Sequence, residues 1–357
     1  MFTIFFPKSK KYATLKTVLR NRQISNLSVN ERSFFTMFQQ LLGESATPII
    51  AFIGILAAFF FTCASLAKGS AILPKDQGRE FAVGGALSAG KPRGAGLIFV
   101  IVFAVAALLF AHVDAEMIIY LLLLICCMLT GFLDDAAKTS WGRLKKGILD
   151  FLVALLVTFT YLHFNGNQVA LALTNTSFSI PTPVFAILSI ALIWISINVT
   201  NCADGVDGLS GTLTIITIMT FYFINQVLGH TSDFDYLSLM FVVCLLGYLW
   251  FNATPSKMLM GDAGSRAMGL FIAIAALKCG DPFLYIPAAL VLIIDGGLGL
   301  VKLTLIKTIH VHILKNVRTP IHDFVRKTIG WSNTQTVFRF AIIQIILSVA
   351  LVYLIML

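Results

Sequence analysis

The sequence has few charged residues for its length, and this scarcity limits the class of protein that it can encode. Charged side chains make up 12% of the 357 residues, whereas 58% are hydrophobic. A soluble domain of this length could not bury so much apolar surface in one core. We therefore expect an integral membrane protein whose apolar surface faces lipid.

Paired cysteines, internal repeats and low-complexity linkers are also missing. The six cysteines form no CxxC pair, and most fall inside apolar segments, where cysteine is usually a small packing residue. No cleavable signal peptide is evident, because the first long apolar run begins near residue 49 behind a basic tail. These features predict a basic N-terminal tail, residues 1–48, and a single transmembrane domain, residues 49–357.

The long apolar runs predict how often the chain crosses the membrane. A helix needs about 20 residues to span a bilayer, and an open sheet cannot satisfy its backbone groups in lipid. We therefore expect an all-α, polytopic integral membrane protein with about ten transmembrane helices. The predicted spans are 49–67, 95–113, 117–133, 148–164, 183–200, 211–229, 237–251, 267–279, 283–306 and 338–356.

Among the loops that connect these spans, those with basic residues all lie on one side. Loops without Lys or Arg are 114–116, 165–182, 230–236 and 280–282, whereas the basic loops are 68–94, 134–147, 253–266 and 307–337. The positive-inside rule places the basic loops in the cytoplasm, and this distribution argues against nucleic acid as the partner of a chain with net charge +9. Ten crossings would leave the basic tail outside. Either the tail lies on the inner surface, or the region 33–48 adds a re-entrant segment.

Four polar residues follow the fifth apolar run at a spacing of three, namely Asn198, Asn201, Asp204 and Asp207. This spacing keeps side chains roughly on one helical face. Carboxylates at a membrane boundary are unfavourable unless they hold a metal, a substrate or a proton. Helix capping would explain one of these residues but not four in register, so the block is predicted to line a functional site.

Three further motifs fall on the same predicted side. Asp134 and Asp135 end the third span; they could bind a divalent cation, divide into a ligand and a proton acceptor, or form a solvated helix end paired with Lys138. Asp262 lies in a short acidic turn, which suits Mg²⁺ because this ion takes one or two carboxylates plus phosphate oxygens. His322 follows a proline in a basic loop. We therefore expect one cytoplasm-facing site.

Clustered carboxylates, basic side chains and one histidine are typical of phosphoryl transfer with Mg²⁺. Most basic residues of this side are expected to anchor the chain at the membrane surface; the set is Lys138, Arg143, Lys145, Lys146, Arg318, Arg326 and Lys327. Asp295 lies within the ninth span, where an acid is a functional candidate by default. It could equally form a hydrogen bond with Lys302 or with a neighbouring helix.

Together the motifs resemble those of the polyprenyl-phosphate sugar-1-phosphate transferases. The resemblance covers about residues 50–357, and its segments are Gly131–Asp135, Asn198–Leu209, Asn252 with Met260–Ser265, Thr319–His322, Gly330–Gln335 and Arg339–Phe340. It implies an Mg²⁺-dependent membrane enzyme of the bacterial inner membrane. The implied reaction moves a phospho-sugar from a UDP-sugar to undecaprenyl phosphate and releases UMP. The phospho-sugar that the resemblance favours is phospho-MurNAc-pentapeptide, whose transfer is a step of peptidoglycan precursor synthesis.

The resemblance also implies a role for each matched residue. Asp262 would ligate Mg²⁺, and Asp134 with Asp135 would position or deprotonate the polyprenyl phosphate. Lys138 and His322 would meet phosphate or sugar. The nucleotide–sugar pocket would be lined by Asn201, Asp204 and Asp207, with Asn198 and Asn252 beside it.

The chain departs from the family pattern at three places. The usual run of three histidines is reduced to His322, and the usual lysine of the loop before the second span is Ser88. Lys91 or Arg93 could compensate for that lysine. Leu259 replaces an aromatic residue that packs on the uracil, so a stacking contact is lost. The departures suggest an altered donor or a divergent paralogue rather than an inactive enzyme.

Other functions stay open at this point. The same chemistry could use UDP-N-acetylglucosamine or another UDP-sugar for wall polymers or surface glycans. A secondary transporter would place its acids near the bilayer midplane in repeated halves, whereas here the acids gather at one interface and no repeat is visible. A catalytically silent scaffold is a further alternative. The sequence leaves open whether the chain forms a homodimer.

Overall fold

The computed structural model describes residues 47–78, 88–137, 139, 141–311, 313–314 and 316–357, and these residues are mainly helical. In chain order the helices are α1 Thr47–Gly69, α2 Gly96–Phe110, α3 Ala115–Asp135, α4 Arg143–Asn165, α5 Thr182–Ala203, α6 Leu209–Leu228, α7 Asp233–Asn252, α8 Gly261–Lys278, α9 Pro282–Ala288, α10 Leu290–Thr308, α11 Ile321–Lys327 and α12 Asn333–Met356. Most of the predicted N-terminal tail, residues 1–46, and Lys138 lie outside the described residues.

The prediction of an all-α polytopic membrane protein is confirmed. Within the described ranges, seven helices are long and apolar enough to cross a membrane, and α9 with α10 adds an eighth if this pair, bent by 70°, counts as one span. The predicted spans 95–113 and 267–279 are also helical, as α2 and α8. However, α2 has only 15 residues, which reach about 22 Å of the roughly 30 Å hydrocarbon core. Ten crossings therefore stay a prediction.

The outer helices present large apolar side chains to their surroundings. Phe60 of α1 is 64% exposed, Trp250 of α7 is 74% exposed and Ile346 of α12 is 62% exposed. A water-soluble protein would bury such side chains or confine them to a small patch. Their spread over several helices is what a lipid-facing surface requires.

Helix α8 is the central element of the fold. Its residues from Gly261 to Leu277 are all buried, and it packs against α2, α3, α5 and α6. This position shields Asp262, Arg266 and Lys278 from lipid, where ionisable groups are unfavourable. The N-terminal end of α8 thereby places the carboxylate of Asp262 among the surrounding helices.

A small hairpin and an ion pair hold the opposite end of α8. Strands β1 Gln168–Leu171 and β2 Thr176–Ser179 pair antiparallel, and the amide of Ala170 donates to the carbonyl of Gly280 at 3.0 Å. At the last turn of α8, the ammonium of Lys278 lies 2.8 Å from the carboxylate of Glu116 on α3. These contacts fix the C-terminal end of α8 far along the helix from Asp262.

Helices α2 and α3 meet α8 at glycines. A Cβ atom on Gly96 would lie 2.0 Å from the backbone nitrogen of Gly264, and one on Gly131 would lie 2.4 Å from the backbone oxygen of Asp262. A backbone atom cannot rotate away as a side chain can. Gly131 therefore sets how closely the end of α3 approaches Asp262.

We expect Gly131→Ala to destabilise the protein, because its methyl group would push α3 away from α8. Overpacking typically costs about 1–3 kcal/mol, and a clash with backbone belongs at the upper end of this range. Gly147→Ala is the matched control, since a Cβ atom there meets nothing within 4 Å and alanine favours a helix over glycine. Thermal unfolding of the two purified variants in detergent measures the difference; equal midpoints would contradict the close contact.

Candidate active site

A polar cavity of about 380 Å³ lies at the N-terminal end of α8. The ionisable side chains that line it are Lys75, Asp76, Arg93, Asp134, Asp135, Lys146 and Asp262. They come from α3, α4, α8 and the segment between α1 and α2, so that tertiary folding assembles them. Four carboxylates and three cationic side chains give the cavity partners for both a phosphate group and a metal ion.

Arg93 is the central cation of this cavity. Its Nη1 atom lies 2.9 Å from Asp76 Oδ1, its Nε atom 2.8 Å from Asp135 Oδ1 and its Nη2 atom 3.4 Å from Asp262 Oδ1. Burial by itself lowers the pKa of Arg93, but these three carboxylates more than offset it and hold the pKa above its ordinary value. The guanidinium thus stays charged and connects three separate segments.

Asp76 anchors the loop that carries Arg93. Its carboxylate accepts hydrogen bonds from Ser88 Oγ at 2.6 Å and from Arg93 Nη1 at 2.9 Å. Burial raises the pKa of Asp76, but the bonds from Ser88 and Arg93 outweigh burial and leave this pKa below its ordinary value. The carboxylate is therefore ionised at neutral pH.

Lys146 of α4 links two predicted site residues. Its ammonium forms ion pairs with Asp134 Oδ2 and, at 3.1 Å, with Asp262 Oδ2. Asp135 has a different role, because its Oδ2 atom accepts a hydrogen bond from the amide of Ala263 at 3.2 Å. Asp135 thus holds the first turn of α8, whereas Asp134 and Asp262 share a cation at the cavity.

Helix α8 begins at Gly261, so the prediction that Asp262 lies in a short turn before the span 267–279 was wrong. Asp262 belongs to the first helical turn. A carboxylate at this position interacts favourably with the helix dipole, which explains why the acidic motif continues the helix instead of interrupting it. Asp262 is consequently held by a rigid element.

The cavity offers Mg²⁺ a small set of oxygen ligands. Among the described residues, no group of three or more His, Cys, Asp or Glu side chains is placed to enclose a metal ion. Mg²⁺ usually keeps several waters and takes only one or two protein carboxylates together with substrate phosphates. The ammonium of Lys146 lies between Asp134 and Asp262, so a cation fits between these carboxylates. The donor set is therefore compatible with Mg²⁺ bound jointly with a phosphate.

The four polar residues at 198–207 do not share one helical face, so that prediction was wrong. Helix α5 ends at Ala203, and the chain then turns through Gly208, whose φ is +84°. A backbone φ in this region favours glycine. Asn198 and Asn201 therefore project from the helix, whereas Asp204 and Asp207 belong to the turn between α5 and α6.

Asn201 is the member of this block that contacts a carboxylate of the cavity. Its Nδ2 atom lies 3.4 Å from Asp262 Oδ2, and its Oδ1 atom accepts a hydrogen bond from Ser265 Oγ at 3.2 Å. Asn198 instead donates to Asp150 at 3.4 Å and to the carbonyl of Trp194 at 2.9 Å. Asn201 thus contacts Asp262 directly, whereas neither of these partners of Asn198 lines the cavity.

Asp204, Asp207 and Asn252 shape the turn beside the cavity. Asp204 accepts a hydrogen bond from Ser210 Oγ at 2.6 Å, and Asp207 accepts one from the amide of Ser256 at 3.3 Å. Asn252 is buried; it accepts from the amide of Gly208 at 2.8 Å and donates to the carbonyl of Met258 at 2.8 Å. Asn252 therefore braces two loops against each other.

His322 is buried against Asp295, which resolves the alternatives for this intramembrane acid. Its Nδ1 atom lies 2.9 Å from Asp295 Oδ2, and its amide donates to Asp295 Oδ1 at 2.7 Å. Lys302 instead donates to the carbonyls of Leu314 and Val317. The other ring nitrogen of His322 faces Gly205, because a Cβ atom there would lie 2.2 Å from Nε2. His322 thus borders the turn that carries Asp204 and Asp207.

Sequence reasoning did not select four of the ionisable cavity side chains, namely Lys75, Asp76, Arg93 and Lys146. Asp76 follows the first span without any motif, Lys146 resembles an ordinary anchoring lysine, and Arg93 was only one of two candidates to replace a lysine. A buried ion pair behind the cavity, between Arg266 of α8 and Asp150 of α4, was also missed. Ionisable residues within or next to apolar runs are the sequence signal that could have identified this ion pair.

Comparisons with known proteins cover most of this chain. The model of glycosyl transferase family 4 matches residues 117–280, which include Asp134, Asp135 and Asp262. The phospho-N-acetylmuramoyl-pentapeptide-transferase of Treponema pallidum (strain Nichols) is 41% identical over 321 residues, or 84% of this chain and 87% of the relative.

The chain belongs to the phospho-N-acetylmuramoyl-pentapeptide-transferase family. More distant relatives with the same name come from Symbiobacterium thermophilum, at 30% identity over 71% of this chain and 78% of the relative. The relative from Bartonella quintana is 29% identical over 73% of this chain and 78% of its own length. The predicted family is thereby confirmed, and with it a multi-pass membrane enzyme of the transferase class.

The two altered loop positions, Ser88 and Leu259, have defined places in the structure. Ser88 lies beside Asp76 at the cavity, where its hydroxyl can donate one hydrogen bond but supplies no charge. Leu259 forms a parallel bridge with Arg93, and its carbonyl accepts from the amides of Gly94 and Ala95 at 3.1 and 3.0 Å. The backbone of Leu259 therefore helps to fix the loop from which Arg93 reaches the carboxylates.

Proposed function

We propose that this protein transfers phospho-MurNAc-pentapeptide from its UDP donor to undecaprenyl phosphate, forming lipid I and releasing UMP. The observation that carries the proposal is the convergence of Asp134, Asp262 and Lys146 from three helices on one polar cavity. Family membership supports the reaction type. The basic loops beside this cavity support a cytoplasmic active site in a bacterial inner membrane.

In the proposed reaction, an oxygen of the lipid phosphate attacks the phosphorus that bears the sugar. A new P–O bond forms to this phosphorus, and its bond to the oxygen shared with the uridine phosphate breaks, so that UMP leaves with that oxygen. Asp134 can accept a proton from the lipid phosphate if it is bound as a monoanion. Lys146 can contact the phosphate charge that develops during this exchange.

Mg²⁺ would be held by Asp262 together with phosphate oxygens of the substrate, and when bound would neutralise phosphate charge. Asn201 and Ser265 orient the Asp262 carboxylate through the hydrogen bonds described above. Asp135 also helps to position the Asp262 carboxylate, because it accepts a hydrogen bond from the amide of Ala263 and so fixes the first turn of α8. Asp204, Asp207 and His322 would form the part of the pocket that takes the nucleotide and sugar.

A second cavity supports a lipid acceptor. It has a volume of about 420 Å³ and lies between α5 and the bent pair α9–α10, where apolar side chains such as Phe185, Leu188 and Ile286 line it. Isoprenoid chains have no polar groups apart from their phosphate end. An apolar groove between membrane helices is therefore suited to hold part of such a chain.

Release of UMP by purified protein tests the proposal. The reaction would contain undecaprenyl phosphate, Mg²⁺ and, in separate arms, UDP-MurNAc-pentapeptide, UDP-N-acetylglucosamine or another UDP-sugar. We expect turnover with UDP-MurNAc-pentapeptide and at least about tenfold less with the others. Preference for UDP-N-acetylglucosamine would assign the chain to wall-polymer or surface-glycan synthesis. No turnover with any donor would refute the enzymatic proposal in favour of a scaffold or transporter.

A further inference from the structure

The loop between α1 and α2 brings two side chains to one carboxylate. Ser88 Oγ lies 2.6 Å from Asp76 Oδ2, and Arg93 Nη1 lies 2.9 Å from Asp76 Oδ1. Position 88 therefore starts next to the place that the guanidinium of Arg93 occupies. A positive charge that entered the cavity from either position would meet the same carboxylate, Asp76.

Lys91, the other cation of this loop, points elsewhere. Its Nζ atom donates to Ser256 Oγ at 2.9 Å, and Ser256 belongs to the segment between α7 and α8. Lys91 does not line the polar cavity, whereas Arg93 does. The structure therefore distinguishes two candidates that the sequence leaves equivalent.

The backbone of Arg93 is fixed while its side chain has several partners. Its amide donates to the carbonyl of Pro74 at 2.8 Å, and the residue bridges to Leu259. A guanidinium carries five N–H donors in a planar fork that fits carboxylates and phosphates alike. One edge can therefore keep its bond to Asp76 while the rest of the group exchanges a carboxylate for a phosphate.

We propose that Arg93 is a substrate-binding residue that contacts a substrate phosphate with the positive charge that Ser88 lacks, and that it serves as the counter-ion of Asp135 and Asp262 before substrate binds. Arg93 remains anchored on Asp76. Its Nη2 atom, which is 3.4 Å from Asp262, gives up this longer contact and turns to a phosphate oxygen. The inference rests on the proposed function, because the phosphate belongs to the lipid acceptor or to the UDP donor.

Steady-state kinetics of Arg93→Gln test the first half of the proposal. We expect KM for undecaprenyl phosphate, for the UDP donor or for both to rise about 30-fold or more, the usual effect of losing hydrogen bonds from a charged group. Separate titration of the two substrates identifies which phosphate Arg93 binds. The matched control Lys91→Gln removes the same charge from the same loop and should change either KM by less than about threefold.

Moving the positive charge from position 93 to position 88 tests whether Arg93 acts by binding phosphate or only by supporting the fold. The double variant Arg93→Gln with Ser88→Lys should have a KM at least about tenfold lower than that of Arg93→Gln alone, because the ammonium starts beside Asp76. Arg93→Gln with Ser88→Met, which has a long side chain without charge, should recover none. Equal values in the two double variants, or an unchanged KM in Arg93→Gln, would overturn the proposal.

Mg²⁺ binding to the substrate-free protein tests the counter-ion role without any turnover. Removal of a positive charge beside Asp262 should tighten Mg²⁺ binding, measured by calorimetry, by about tenfold or more. Ser88→Lys in the same background should weaken it again. Unchanged or weaker Mg²⁺ binding in Arg93→Gln would contradict the counter-ion role. Wild-type protein without UMP release would instead refute the proposed function on which the inference rests.

Discussion

Asp262→Asn should lose at least about a thousandfold in turnover while the protein remains folded. The substitution keeps the shape of the side chain and removes the charge that would face Mg²⁺ and Lys146 at 3.1 Å. Loss of a metal-ligating carboxylate removes several kcal/mol of transition-state stabilisation, and about 4 kcal/mol corresponds to a thousandfold. UMP release by purified protein measures the effect, and its Mg²⁺ dependence should shift to higher concentrations.

The fold of the Asp262→Asn variant should be maintained, because the cavity holds more carboxylates than Asp262 alone. Lys146 retains its ion pair with Asp134, and Arg93 retains Asp76 and Asp135. The unfolding midpoint should therefore stay within about 3 °C of wild type. Asp233→Asn, at the exposed ion pair with His112, controls for loss of a carboxylate elsewhere. An Asp262→Asn variant with wild-type turnover would remove Asp262 from the reaction.

Apolar runs and motifs predicted the fold class and the family because both depend on local sequence. A membrane helix is defined by its own composition, so each of the ten predicted segments is mainly helical in the structure, although 283–306 is bent where α9 meets α10. The number of crossings is less local. Whether α8 faces lipid depends on the helices around it, and its complete burial follows from packing that no window of sequence contains.

In the candidate site, too, local sequence predicts some residues and only tertiary packing reveals the others. The sequence identified Asp134, Asp135 and Asp262, because an acid at the end of an apolar run is unfavourable unless it has a functional partner. Asp76 was not, since a single acid in a loop has no such requirement and its importance comes from Arg93 and Ser88, which lie 17 and 12 residues further along the chain. Lys146 could not be distinguished from the neighbouring basic residues by sequence, because only tertiary structure brings it to Asp134.

The spacing of three in the 198–207 block was a sound observation that led to a wrong geometry. It assumed that the helix continues, whereas α5 ends at Ala203 before the first aspartate. The glycines that follow provided the relevant signal, because Gly208 adopts a φ of +84° that other residues rarely take. Helix boundaries are the least local part of a helix prediction, since caps and tertiary contacts decide them.

Lys146→Met should lower kcat/KM about a hundredfold, because Lys146 is the cation shared by Asp134 and Asp262. Removing one electrostatic donor from a buried catalytic site typically costs about 100- to 1,000-fold. Methionine keeps most of the length and the apolar stem of lysine, so packing of α4 should change little. Lys146→Arg, which keeps the charge, should retain activity within about tenfold of wild type.

The adjacent Lys145→Met substitution is a stringent control for this prediction. Lys145 lies on the same helix, but its Nζ atom is 3.3 Å from the centre of the Trp141 ring rather than beside a carboxylate of the cavity. A cation–π contact at an exposed site is worth about 0.5–1 kcal/mol, so activity should fall by less than about fivefold. If the two methionine variants lost activity equally, the effect of Lys146 would come from general surface charge. A lower unfolding midpoint in Lys146→Met alone would instead indicate that Lys146 holds the fold and not the phosphate.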